Sequence, residues 1–407
     1  MRHAARLAGS ILLLLTPAAA LAQSGEGALH ASLFADFNYQ ESQRPIAQGF
    51  RMGQVAGHLT WGMSDRTTLF TEATATSQST GLALEFERVL LRYDARDWLK
   101  LSAGRGHTPI SYWYTSFHHG QWFQSTIARP EMVRGGSPLI PMHFVGVFAE
   151  GNVPAGPLVL GYSTGVGNGR GTSIMRGGDA GDANNSRATV FGATVRAPSL
   201  AGARIGGAIY NDRLTPSAGI DVRERMLSGH FALERETPEL IVEYTAIRHD
   251  PSLPAAQAPT TTTAYYAQLA YRLSGRASAW KPYVRFDDVR VPAGDTVFAP
   301  LRLTYAGYTT GVRYDVAPTV GLKLEYRGER VEHGPRMRTI AASIAFTMSG
   351  HTGHHDADPV ITDDGNDGHD GTAAHAGHEG HEGHEEGHEG HEGHEGHDAA
   401  PSGASHH

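Results

Sequence analysis

Between residues 29 and 348 the chain alternates apolar and polar side chains with a period of two, and no comparable 3.6-residue stripe interrupts it. In "ALHASLFADFNYQ", Leu29, Ala31, Leu33, Ala35, Phe37 and Tyr39 share one face. His30, Ser32, Asp36 and Asn38 share the other, with Phe34 as the exception. In "RTIAASIAFTM", Ile340, Ala342, Ile344, Phe346 and Met348 oppose Thr339, Ser343 and Thr347. Successive side chains of a strand point to opposite faces, so this rhythm specifies β-structure with two unlike sides.

Sixteen such segments are expected, at 29–39, 51–61, 66–76, 84–94, 98–104, 142–151, 157–165, 187–197, 203–211, 222–234, 239–249, 263–273, 279–290, 302–315, 320–331 and 337–347. From the second onward, short links such as "GMSD", "ARD", "APSLAG", "RETPE" and "VAPT" alternate with longer polar ones. Short turns at one end and long loops at the other are the pattern of a transmembrane, antiparallel, up-and-down β-barrel. A secreted β-sandwich is the alternative, but its strands would be five or six residues long, whereas many here reach ten or more. Trp61, Trp98 and Trp280 each abut a short turn, with Tyr93 and Tyr314 at similar strand ends, where an interfacial aromatic ring belongs. The expected fold class is all-β, a barrel of about 16 strands followed by a disordered C-terminal tail.

Residues 1–22 read as a secretory signal: Arg2 and Arg6, the apolar run "ILLLLTPAAALA", and small residues before Gln23. The chain has no Cys, which excludes disulfides, thiolate metal ligands and thiol catalysis. No stretch approaches the ~18 apolar residues of a membrane helix. Charge divides unevenly. The tail, 349–407, holds 14 Asp and Glu and 14 His with no Lys or Arg, so the net −8 combines an acidic tail with a body, 23–348, of about +4. An exported chain without a dense basic patch is not a nucleic-acid binder.

The longest connection follows the fifth segment: "RGHTPISYWYTSFHHGQWFQSTIARPEMVRGGSPLIP", residues 105–141. Loops of this length are usually functional. The body, roughly 29–348, resembles the sixteen-stranded general porins of Gram-negative outer membranes, in which the loop after the fifth strand folds into the barrel and narrows the pore. The run "GRGHTPISYWYTSFHHGQWFQSTIARPEMV" is similar to a segment of poorly characterised outer-membrane porin-like proteins. The resemblance implies passive diffusion of small hydrophilic solutes, an outer-membrane lipid environment, and assembly as a homotrimer.

Folded into a lumen, this loop would offer Arg105, His107, Tyr112, Trp113, His118, His119, Trp122, Arg129 and Arg134 as a cationic, aromatic constriction, and arginines favour anions. On the wall, Arg88, Arg92, Arg272, Arg285, Lys323 and Arg327 have lumen-facing parity, but so do Glu243, Asp287, Glu325 and Glu329. Pairing across strands is the simpler use of any single one of these charges, which leaves a weak anion preference. Two other readings of the loop are an outer-membrane hydrolase built on Ser111 and the nearby His, though no "GxSxG" elbow surrounds Ser111, and a metal site on its three His.

The tail repeats "GHEGHEGHEEGHEGHEGHEGHD" over 377–398. His378, His381, His384, His388, His391, His394 and His397 are each followed by an acid, and Gly leaves the backbone free to wrap. Imidazole and carboxylate suit Zn²⁺, Ni²⁺ and Cu²⁺. Gathering ligands from a flexible chain costs entropy, so each site would be labile and suited to buffering or transfer of metal. A solvated extension, a proton buffer and a cloning tag are other uses of the same composition. No resident cofactor is required. The expected whole is a porin in the outer membrane with its tail in the periplasm; a barrel that only binds partners at its surface is the alternative.

Overall fold

A computed structural model of the chain describes residues 27–352, apart from 79–80, 118–120, 171–173, 175–177, 183, 201, 218–219 and 254–256. The expected signal (1–22), His118 and His119, and the seven tail histidines lie outside the described residues. Sixteen antiparallel strands close into one barrel, each paired with its sequence neighbours and the last with the first. They are β1 Leu29–Ser42, β2 Gly49–Ser64, β3 Thr67–Gln78, β4 Gly81–Arg96, β5 Leu99–His107, β6 His143–Ala155, β7 Leu158–Asn168 and β8 Arg187–Ala197. The second half comprises β9 Ala203–Ser217, β10 Ile220–Leu233, β11 Glu239–Leu253, β12 Thr260–Ala270, β13 Trp280–Arg290, β14 Tyr305–Ala317, β15 Val320–Val331 and β16 Met337–Thr352. The expected strand number and antiparallel closure therefore hold.

The period-two pattern sorts side chains between outside and lumen. On β4, Leu82, Leu84, Phe86, Val89, Leu91 and Tyr93 are exposed, as are Ile205, Leu227, Phe286, Leu324 and Ile340 elsewhere. Among the described residues more than thirty large hydrophobic side chains are exposed in this way. Each would gain roughly 1.5–3 kcal/mol by leaving water, so an exterior of this kind belongs in lipid. Trp98 and Trp280 are exposed at the short-turn end, and Trp280 packs on Tyr314 across β13–β14 with ring centroids 4.6 Å apart.

Inward positions are polar and buried: Asp36, Asn38 and Gln40 on β1, Glu72 and Thr74 on β3, Glu325 and Glu329 on β15. Phe34, the exception in the first strand, also faces inward and packs on His58 and on Phe123 of the long loop, at 5.0 and 4.8 Å. A register shift at Glu72/Ala73 places Glu87 and Arg88 together inside, both buried, so the alternation of β4 changes phase there. The two-residue link after β6 begins with Gly156 at φ +64° followed by Pro157, the φ signs of a type II′ hairpin turn.

Many strands run a few residues beyond or short of the expected bounds, β9 by six at its end, and three of these differences bear on the site and the tail. β5 continues through Arg105 and His107, because His107 still pairs with His143 of β6, so the long connection is 108–142. β12 ends at Ala270, which leaves Arg272 in the following turn. β16 runs four residues past Met348 to Thr352.

Candidate functional site

The connection 108–142 leaves the barrel at β5 and makes its bonds on β11–β15. In a closed ring of sixteen, β13 is diametrically opposite β5, so the segment spans the lumen. Ser111 opens a short helix, α1 (Tyr112–Phe117), with its Oγ 3.5 Å from the Tyr114 amide. The fully buried Glu243 carboxylate of β11 accepts the Tyr112 and Trp113 amides at 3.0 and 3.3 Å and the Tyr266 hydroxyl at 3.0 Å. Three donors on one carboxylate, at the positive end of a helical turn, offset part of the cost of its desolvation.

The rest of the crossing repeats this device. Glu325 of β15 accepts the Ile127 amide at 2.7 Å, the Ala128 amide at 3.2 Å and the Tyr283 hydroxyl at 3.1 Å. Asp287 of β13 accepts the Glu131 amide at 3.0 Å, and Glu239 takes the Ser125 hydroxyl at 3.2 Å. Cations bind the carbonyls. Arg285 donates to Ala128 and Arg129 at 2.7 and 3.0 Å, Lys323 to Gln121 and to Thr126 (3.1 Å), and Arg313 to Trp122, whose ring lies 5.4 Å from its guanidinium carbon. A loop buried in a lumen must satisfy its backbone, and the wall charges do so. Trp113, Tyr114, Phe117, Met132 and Val133 pack with Tyr210, Met226, Ile241 and Tyr266 into an apolar cluster against β9–β12.

A second connection, 291–304, is also fastened inward. Asp295 caps the Val297 and Phe298 amides at 2.9 and 2.8 Å and meets His249 Nδ1 at 2.9 Å. His249 Nε2 lies 3.0 Å from Glu224, and Phe298 meets the imidazole edge-on with ring centroids 4.6 Å apart. Burial raises the Asp295 pKa, but the hydrogen bond and charge of His249 outweigh it and leave it below the usual carboxylate value. Arg170, from the β7–β8 connection, lies 3.5 Å from Glu224 and donates to the Pro138 and Leu139 carbonyls, tying that connection to the long one.

On the other side of the crossing, against β1–β6, a cavity of about 570 Å³ remains. Asp36, Glu85, Glu87, Arg51, Arg105, Arg129 and Arg170 contribute its charged lining, with His143. Arg105 is held by Glu85 at 3.2 Å, Glu87 at 3.6 Å and Asp179 at 2.9 Å. Burial pulls the Arg129 pKa below the ordinary value, opposed by Tyr114, Glu87, Asp36 and Glu72 around it. Next to this space His58, Arg88 and His107 converge on Glu72, at 2.8, 2.5 and 4.0 Å, and the His107 ring lies tilted against that of His143 with centroids 5.2 Å apart. A much smaller cavity, about 50 Å³, sits between α1 and the glycine-rich wall of Gly161, Gly192 and Gly207, with Arg204 and His230 at its edge.

The sequence-derived residues therefore divide. Arg105 and Arg129 line the open cavity. Tyr112 and Trp113 are buried in the packed cluster, Trp122 lies over Arg313, and Arg134 pairs with Glu131 at 3.0 Å. On the wall, Arg285 and Lys323 hold the loop. Arg88 pairs with Glu72, Arg92 with Asp94 at 2.7 Å, and Arg327 lies 3.5 Å from Glu325. Arg272 bridges the turns through Glu236 and Asp315. The reading from sequence did not single out Asp36, Glu72, Glu85, Glu87, Arg51, His143 or Arg170 as site residues. The adjacent inward pair Glu87–Arg88, breaking an otherwise regular alternation, was the signal available for part of this set.

No protein-family model matches the chain, and no curated protein matches it in sequence. Solved structures do resemble it. An anion-selective porin from Comamonas acidovorans superposes with a TM-score of 0.56 at 10% identity, covering 79% of this chain and 100% of the other. OmpF of Salmonella typhi, in complex with daunomycin, gives 0.51 at 10% identity, covering 80% and 98%. At such identities the likeness establishes a shared fold: the sixteen-stranded barrel seen in outer-membrane porins.

Proposed function

We propose that this chain is an outer-membrane porin, a passive diffusion channel for small hydrophilic solutes with a weak anion preference. The observation that carries the reading is the segment 108–142, which crosses the lumen and leaves a charged cavity beside β1–β6. Four guanidinium groups and three carboxylates line that space. Pore charge of this kind sets ion preference, and the small cationic excess favours anions slightly. Outer-membrane residence is supported by the apolar exterior and the shared fold. β1 starts and β16 ends at the short-turn end, with Leu29 paired to Thr352, and short turns face the periplasm in such barrels, which supports a periplasmic tail.

The test is current through planar bilayers under a salt gradient. Steps with a reversal potential of anion sign support the proposal; a folded barrel that carries no current leaves the surface-interaction reading. The hydrolase alternative finds little support in Ser111, which is buried at the start of α1 with its Oγ beside the Tyr114 amide. The tail histidines are proposed to bind labile Zn²⁺, Ni²⁺ or Cu²⁺, and a trimer is the proposed assembly. Removing 353–407 is expected to leave conductance unchanged and abolish Zn²⁺ uptake measured by calorimetry. Light scattering of detergent-solubilised protein checks the trimer.

A further inference from the structure

The outward face of the barrel is not uniform. On β10 the exposed side continues from Leu227 to Arg225 and Arg223, all on the face that Ile209 shares on β9 and Tyr244 on β11. The register sets Arg225 between Asn211 and Arg248, and Arg223 between Arg213 and Asp250. All four arginines are exposed. The result is a grid of Arg213, Arg223, Arg225 and Arg248 on three neighbouring strands, at their long-loop end. β3 and β4 differ: their outward positions, from Thr67 to Ser77 and from Leu82 to Tyr93, carry no charge. Arg223 stands ten residues from the short-turn end of β10, and Phe86 stands ten residues from that end of β4. On one side of the barrel that distance is still apolar; on the other it is already cationic.

We propose that this grid binds the phosphate groups of the anionic glycolipid in the outer leaflet, the phosphorylated diglucosamine of lipid A. The inference rests on the membrane placement argued above. Side chains bordering an apolar band reach the headgroup layer, and long basic side chains bury their stems while the charge meets the interface. The acids nearby balance the grid only in part. Asp221 takes Arg213, Asp250 takes Arg248 at 2.9 Å, and the partner of Arg225 is the neutral Asn211 at 3.2 Å. The residue type fits as well: planar guanidinium forks bind phosphate oxygens in pairs. Only Lys100, Lys281 and Lys323 of the chain's 34 basic residues are Lys.

The experiment uses the full chain in detergent micelles doped with bisphosphorylated lipid A or with the same lipid stripped of phosphate, and reads bound lipid by native mass spectrometry. Removing the phosphates is expected to weaken binding at least tenfold. The triple substitution Arg223→Gln, Arg225→Gln, Arg248→Gln should do the same, and replacement of the three by Lys should cost less. Conductance in phosphatidylcholine bilayers should not change, since none of the three faces the lumen. Equal binding of both lipids, or of wild type and the Gln variant, overturns the proposal. Displacement of lipid A by inorganic phosphate at equal concentration overturns the lipid as the source. Should the Gln variant not fold, the wild type decides alone: binding that is indifferent to salt between about 0.05 and 0.5 M also overturns it. A chain that fails to enter bilayers at all refutes the membrane reading instead.

Discussion

The two sides of the lumen use the same residue types for opposite purposes. Against β11–β15, Glu243, Glu325, Asp287, Arg285 and Lys323 are buried beneath the crossing segment and spend their hydrogen bonds on its backbone. Against β1–β6, Asp36, Glu85, Glu87, Arg51 and Arg105 border open space. A charge on a barrel wall is therefore not a pore charge by virtue of facing inward. It becomes one only where no loop covers it, and otherwise it is a fastening.

That division predicts different readouts for similar substitutions. Glu325→Ala would orphan the Ile127 and Ala128 amides and the Tyr283 hydroxyl, all now bonded to it. A buried network broken on one side costs about 3–5 kcal/mol, so the thermal midpoint in detergent should fall sharply and single-channel current should become larger and noisier. Arg285→Met takes the donor from two loop carbonyls and the cation from buried Asp287, 2.9 Å away, but leaves the Glu131 amide bonded to Asp287; its cost is expected at the lower end of the same range, about 3 kcal/mol. A variant of either residue with unchanged midpoint and unchanged conductance would remove the distinction between fastening and lining.

The open side should respond in the reverse manner. Replacing Glu85 and Glu87 together by Gln removes two negative charges from the cavity while preserving their size. The expected change is a shift of the reversal potential toward anions, about twofold or more in permeability ratio, with the thermal midpoint nearly constant. Equal damage to stability would mean that these carboxylates, too, act as fastenings.

Much of this architecture is legible in the sequence because it is local. Alternation along each strand gives its two faces, and the spacing of short and long links gives the antiparallel order. The division of wall charges is not local. Glu243 meets residues 112 and 113, and Glu325 meets 127 and 128, about 130 and 200 positions away, and nothing in either neighbourhood announces the partner. Arg105 and His107 read as the start of the loop, yet β5 continues through both, because Arg105 pairs with Val145 and His107 with His143 of β6. The phase change at Glu87–Arg88 depends on a bulge opposite Glu72, and it decides that Glu87 lines the cavity while Arg88 is bound to Glu72.

The smallest expected effect lies at the short-turn rim of the packed side. Glu236, in the β10–β11 turn, is bonded to Arg272 and to Lys281 at 3.1 Å, and Arg272 also meets Asp315 at 2.6 Å. Burial alone would raise the Glu236 pKa; the bonds and charges of Arg272 and Lys281 instead hold it at about 2, against 4.5 for a free Glu. A carboxylate whose pKa is depressed by folding adds stability above its unfolded value, and that contribution fades as pH falls from about 4.5 toward 2. Nearly half of its side chain is exposed (46%), so solvent screening keeps the gain small. Melting wild type and Glu236→Gln at pH 6 and pH 3 isolates it: the gap between them should be present at pH 6 and shrink at pH 3. A gap that is constant with pH would assign the rim's cohesion to packing and backbone bonds, and would confine electrostatic fastening to the lumen crossing.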